Sequence, residues 1–326
     1  MTKFYQRLIL LLLLVAAISS IAIYFTVDIH TLRHLNRFQP WSLVVALILL
    51  AIGLYFDGLR LIHLVQIASE KIRFIEAVHV VFGNYFLALL TPGAAGGAVA
   101  QVMFLRRAGI PIGKASVLVV VRTLVSIFFL LLCLPVIFYY DSSILPGISE
   151  NVLAIISAVL VVIIVGVIGL FRTSVLNYLL VIFTKRFSHN RRRRIFSIYR
   201  DVRGAVFMLS SDPISMCKVL GESIISLLAL YSIVPVLFIG MGMTIHWPQI
   251  IGRMIVLNIL LYFAPTPGGS GIAEGGFIFL FSCFLPSGTV GVVAVVWRII
   301  VEYLPFIVGL YFTIKVFGQS IWAKNI

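Results

Sequence analysis

Residues 8–27, LILLLLLVAAISSIAIYFTV, contain no charged side chain. A helix needs about 20 such residues to cross the hydrocarbon core of a bilayer. Comparable runs extend from about Trp41 to Val65, Lys114 to Tyr140, Val152 to Phe171, Met216 to Ile239 and Val290 to Val316. With 61% hydrophobic and 11% charged residues, against roughly 25% charged in soluble domains, most of the surface must face lipid. The reading is an all-α, polytopic transmembrane helix bundle, one integral membrane domain over residues 1–326.

The charges gather between the runs. The net charge is +14, and topology accounts for it, because cytoplasmic loops collect Lys and Arg. The largest basic segment, about 172–213, holds Arg191, Arg192, Arg193, Arg194, Arg200 and Arg203. Ile195, Ile198, Tyr199, Val202, Val206 and Leu209 follow at helical spacing opposite the last two arginines, the pattern of an amphipathic helix on the inner leaflet. Anionic lipid headgroups are its nearer partner, and no nucleic acid is expected. The loop from Asp141 to Glu150 lacks Lys and Arg and is read as external. The first run follows Lys3 and Arg7 without a convincing cleavage site and is read as retained. Both termini are expected in the cytoplasm, and the chain in the cell (plasma) membrane.

Two apolar stretches are interrupted. One ends at Thr91-Pro92-Gly93-Ala94-Ala95-Gly96-Gly97, and the other at Pro265-Thr266-Pro267-Gly268-Gly269-Ser270-Gly271. Proline removes a backbone donor and clashes with the preceding turn, while glycine admits conformations other residues avoid. Each cluster therefore ends one helix and starts another, which predicts two re-entrant broken-helix hairpins.

The surroundings repeat as well. Asn84 and Asn258 precede the breaks; Arg122 and Arg298 follow about 30 residues on, each with a Leu-Pro beyond it, Leu134-Pro135 and Leu304-Pro305. Three full crossings lie between the hairpins, an odd number, so the first enters from the cytoplasm and the second from outside. That is an inverted repeat, with halves at about 75–140 and 248–316, as in transporters that place a central site at broken helices. Helix starts at such breaks aim unsatisfied N–H groups at the cavity and suit an anionic headgroup.

Arg122 and Arg298 lie inside spans, at a cost of about 2.5–3.5 kcal/mol each on insertion scales. Glu302 is four residues past Arg298, so the two can pair on one face, either as a helix-stitching pair or as part of a pathway. Glu274, just past the second break, and Glu222 are further intramembrane acids. Asp57 and Arg60 are spaced for a local pair near the cytoplasmic end of their run. His30 and His34 could hold a metal but lack a third ligand, and an interfacial pair is the simpler reading. Cys133, Cys217 and Cys283 show no metal or disulfide spacing. No catalytic motif is present, so no enzyme activity and no cofactor are expected. No soluble domain is expected beyond the last run.

Together Thr91–Gly97 with Phe104-Leu105-Arg106-Arg107, and Pro265–Gly271 with Ile272-Ala273-Glu274, resemble the motifs of the lysylphosphatidylglycerol synthase transmembrane (flippase-like) family. The resemblance covers nearly the whole chain. It implies movement of a phospholipid between leaflets, without the aminoacyl transfer of fused synthase domains. The first motif departs from the pattern: Ala98 and Gln101 stand where relatives often carry an acid and an arginine. The expected function is a lipid translocase for a phosphate-bearing, polar-headgroup lipid. Its path would be lined by Pro92, Gly93, Gly96, Gly97, Gln101, Arg122, Glu222, Pro267, Gly268, Gly269, Gly271, Glu274, Arg298 and Glu302. The rival expectation is a non-transporting lipid-binding or scaffolding protein that partners a lipid- or glycan-modifying membrane enzyme, with a homo-oligomer as the other partner expectation.

Overall fold

A computed structural model describes residues 38–141, residue 144, scattered positions between 152 and 184, and residues 187–285 and 289–322. The first run, His30 and His34 lie outside them, as does most of the run from Val152 to Phe171. Among the described residues the chain is helical, and its only β contact is one isolated bridge.

The helices are α1 (Pro40–Ile67), α2 (Phe74–Leu90), α3 (Ala95–Arg107), α4 (Ile112–Tyr140), α5 (His189–Ser211), α6 (Pro213–Tyr231), α7 (Ile233–Gly240), α8 (Trp247–Tyr262), α9 (Ile272–Phe281), α10 (Thr289–Arg298) and α11 (Leu304–Trp322). Among the described residues, four stretches are long and apolar enough to cross a membrane: α1, α4, α6 with α7, and Thr289–Phe317. Trp41 at the start of α1 is exposed, as an interfacial anchor requires.

Local chemistry sets the boundaries. Pro40 and Pro213 open α1 and α6 at positions where a missing N–H costs nothing. The Asp212 carboxylate caps α6 by accepting from the Ser215 N–H at 3.2 Å. Between α10 and α11, Ile299–Tyr303 form a π-helical turn. Pro305, two residues past the turn, cannot donate to the carbonyls before it, so the helix widens there.

Packing joins the helices that carry the two breaks through shared neighbours. α1 lies along α6, and α2 lies against both α3 and α11. At the α1–α6 contact a Cβ on Gly53 would come within 2.7 Å of Leu230, and Ser226 donates to the Gly53 carbonyl at 2.8 Å. Small residues with a hydroxyl across the seam are how helices approach closely in lipid. One apolar cluster gathers around α7, α8, α9 and α10, a second around α1, α3 and α4. Phe86, Leu89 and Leu90 connect α2 to Phe306 and Leu310 of α11. α5 packs on α4, where a Cβ on Gly204 would sit 3.1 Å from Val117. Its Tyr199 and Val206 are buried while Arg200 is exposed, so these two positions of the apolar stripe face the bundle.

Candidate functional site: two helix breaks and the charges behind them

The breaks fold as the Pro/Gly clusters require. Gly93 and Ala94 both take positive φ before α3, as do Gly268, Gly269 and Gly271 before α9. Thr91 replaces the lost backbone bonds at the first break. Its hydroxyl donates to the Leu87 carbonyl at 2.8 Å and accepts from the Gly96 N–H at 2.7 Å. Gly96 and Gly97 let α3 fold back onto α2: a Cβ on Gly96 would lie 2.6 Å from the Leu87 carbonyl oxygen, and one on Gly97 would strike the Asn84 amide. At the second break the Glu274 carboxylate accepts from the Gly271 N–H at 2.7 Å, a capping interaction at the start of α9.

The two breaks touch. Pro92 and Pro267 form the antiparallel bridge, and the Gly93 N–H donates to the Ala264 carbonyl at 3.0 Å. Pro92 and Pro267 occupy the same position in the two Thr-Pro-Gly motifs. Antiparallel pairing of equivalent residues places a local pseudo-twofold axis between them. Outer residues of both breaks, including Pro92, Gly93, Pro265 and Gly271, are exposed. The charges behind them are buried.

Behind the first break, Arg122 pairs with Asp57 of α1 and donates to the Gln101 carbonyl oxygen at 2.5 Å. Gln101 passes the chain on, its amide donating to Asn84 at 2.8 Å. Arg60 contacts the other Asp57 oxygen at 2.6 Å and donates to Ser126 at 2.8 Å. All three charged groups are buried, and two guanidiniums face one carboxylate. The Arg122 Nε has no acceptor. Burying ions costs several kcal/mol each unless partners compensate, and here one positive charge is left over.

The second network reverses the ratio. Arg298 donates to Glu274 at 3.1 Å and to the Gly268 carbonyl at 3.1 Å, and it pairs with Glu302 inside the π turn. Arg298 is 1% and Glu274 2% exposed, so one guanidinium holds two carboxylates beside the break. Tyr85 of α2 lies within electrostatic reach of Asp57, Arg60, Arg122 and Glu302. Tyr262, at the end of α8, lies within electrostatic reach of Asp57, Arg60 and Arg122. The two networks therefore flank a common polar region, with three arginines and three carboxylates between them.

Most of the path residues read from the sequence come together here: Pro92, Gly93, Gly96, Gly97, Gln101 and Arg122 on one side, and Pro267, Gly268, Gly269, Gly271, Glu274, Arg298 and Glu302 on the other. Glu222 does not join them. It pairs with His63 at 2.8 Å, and His63 in turn contacts Lys218 at 3.0 Å. Asp57 and Arg60 form the local pair their spacing predicts, at 2.6 Å; both are buried, and Asp57 is also the partner Arg122 lacks on its own helix. A further buried pair escaped the sequence reading. Arg253 in α8 holds both carboxylate oxygens of Asp141 at 2.7 and 3.1 Å and lies 4.6 Å over the Phe284 ring. An arginine in the run IIGRMIV was the available signal, by the same rule that singled out Arg122.

On α5, the Arg203 guanidinium lies 6.0 Å over the Tyr199 ring and 5.5 Å over Phe207, and Arg192 lies 5.7 Å over Phe196. Arg193 and Arg200 are exposed; Arg191 and Arg194 belong to the same helix, with side chains outside the description. Among the described residues, no three His, Cys, Asp or Glu side chains gather as metal ligands.

A family model described as the lysylphosphatidylglycerol synthase TM region matches residues 10–309. The chain belongs to this family. Among curated proteins it is 23% identical over 279 residues to a UPF0104 membrane protein of Archaeoglobus fulgidus, covering 82% of this chain and 85% of the relative. In this member of the lysylphosphatidylglycerol synthase transmembrane family, the matched region contains both breaks and all three central arginines.

Proposed function

We propose that the protein is a lipid translocase, carrying the polar headgroup of a phosphate-bearing lipid past the two breaks from one leaflet to the other. The observation that supports this most is the contact of Pro92 with Pro267, each break backed by a buried arginine. Irregular backbone at membrane depth must face protein or a wet cavity. The exposed outer residues of the breaks would line such a vestibule, with the hairpins entering from opposite leaflets. The excess cation of the Asp57–Arg60–Arg122 group favours an anionic phosphate passing close by. No nucleotide-binding motif is seen, so motion would be passive or ion-coupled. Glu222 stands apart from this path, in a separate α1–α6 pair with His63.

The test is scrambling of fluorescent phosphatidylglycerol in proteoliposomes. Wild-type protein is expected to expose inner-leaflet probe to a membrane-impermeant quencher. The combined Arg122→Gln and Glu274→Gln variant should lose most of that rate while keeping its elution profile. Equal rates in protein-free and protein-loaded vesicles contradict the proposal.

A second reading is a non-transporting lipid-binding or scaffolding protein. It is favoured by Arg298, whose three nitrogens are all taken up by Glu274, Glu302 and Gly268, as in a structural clasp. Lipid binding without any scrambling selects this reading.

A further inference from the structure

One cleft among the described residues lies away from the breaks. It occupies about 350 Å³ where the start of α2, the end of α3 and the last turns of α11 converge. Three cations line it, Arg73, Arg107 and Lys315, against one carboxylate, Glu76. That carboxylate is already engaged: Arg73 contacts it at 2.8 and 3.1 Å, and it also accepts the Arg73 backbone N–H at 2.8 Å. Arg107 and Lys315 form no ion pair among the described residues. Both are exposed, and both lean on rings instead, Arg107 5.6 Å from the Phe317 centroid and Lys315 5.7 Å from Tyr311.

The wall beneath the cations is apolar and aromatic. Phe312 packs on the His79 ring at 4.8 Å, and Phe104 on Phe317 at 4.9 Å. A cationic rim over an aromatic floor, at the ends of three apolar helices, matches a molecule with an anionic phosphate joined to a hydrocarbon part. Cations in this position attract anionic headgroups, and basic pockets between helices hold them. Aromatic faces accept the glycerol and first methylenes.

We propose that this cleft is a docking site for the phosphate of an anionic membrane lipid, held by Arg107 and Lys315 with its acyl chains running along α3 and α11. The site is separate from the central networks and does not depend on transport. Its position at the end of the first hairpin makes it a place where a lipid waits at the membrane surface.

The experiment is binding of dioctanoyl phosphatidylglycerol to the full-length protein in nanodiscs made only of phosphatidylcholine. Wild-type protein should bind it saturably, and dioctanoyl phosphatidylcholine much more weakly. The Arg107→Gln, Lys315→Gln double variant should bind about 10- to 30-fold more weakly, from roughly a fivefold loss per surface cation. Charge-preserving Arg107→Lys should keep most of the affinity. Inorganic phosphate should compete only at far higher concentration. Unchanged affinity in the double variant overturns the proposal, and so does inorganic phosphate binding as tightly as the lipid. Loss of scrambling with docking intact counts against translocation alone, whereas loss of docking with scrambling intact counts against this site alone.

Discussion

Pro92 and Pro267, separated by most of the chain, sit opposite one another in an antiparallel bridge where the two interrupted helices meet. Both prolines hold the same place in a Thr-Pro-Gly motif. Each half then places a buried arginine behind its own break, Arg122 against Asp57 and Arg298 against Glu274.

The Asp57–Arg122 pair is expected to be a stability determinant. Removing one partner of a buried pair strands the other charge and costs about 3–5 kcal/mol. Asp57→Asn leaves two guanidiniums with no carboxylate, so it should lower the apparent melting temperature in detergent more than Asp212→Asn at the surface. A fluorescence-detected thermal scan of the two variants checks the ranking.

Arg253 and Asp141 should behave as a replaceable clasp. Arg253→Met alone is expected to destabilise by about 3–5 kcal/mol, whereas Arg253→Met with Asp141→Leu should recover most of the loss, because apolar residues of similar volume can substitute for a buried ion pair. The double-mutant cycle, measured by thermal unfolding in one detergent, gives the coupling directly.

Much of this architecture was legible beforehand, and the failures have a common cause. The breaks were legible because Pro and Gly act on their own backbone, so position in the chain is position in the fold. Arg122 stood out by cost alone, but its carboxylate comes from another helix, and a partner 65 residues away leaves no local spacing to read. Asp57 was visible only through its neighbour Arg60, which made a short-range pair look sufficient. Arg253 and Asp141 are 112 residues apart, and the acid opens a stretch without Lys or Arg that reads as an external loop. The π turn at Ile299–Tyr303 was foreshadowed by Pro305, yet the Arg298–Glu302 pairing survives it.

Close helix approach predicts a glycine hierarchy. A Cβ on Gly309 would collide with the Phe82 carbonyl group of α2, while one on Gly275 meets nothing within 4 Å. Gly309→Ala should therefore lower the melting temperature, by an overpacking penalty of about 1–3 kcal/mol. Gly275→Ala, mid-helix in α9, should be neutral or raise it. The two variants compared in the same thermal assay check both directions.

Acid should weaken the start of α6. Bonds from the Ser215 hydroxyl, and then from its N–H, hold the Asp212 carboxyl below its ordinary value. The cap therefore contributes fully above that ordinary value and is lost as pH falls through the lower, folded-state one. Wild type and Asp212→Ala should differ in melting temperature at neutral pH and converge below about pH 4; a gap that widens on acidification would run against the sign.

Locking the breaks together tests the central claim most directly. Paired residues of an antiparallel bridge lie about 4.5–5.5 Å apart at Cα, within disulfide range. Pro92→Cys with Pro267→Cys, in a background where Cys133, Cys217 and Cys283 are serine, should therefore cross-link on oxidation. Lipid scrambling in proteoliposomes should fall to the protein-free rate when the bond forms and return on adding reductant. Scrambling that continues unchanged through the oxidised link would contradict a path between the two breaks.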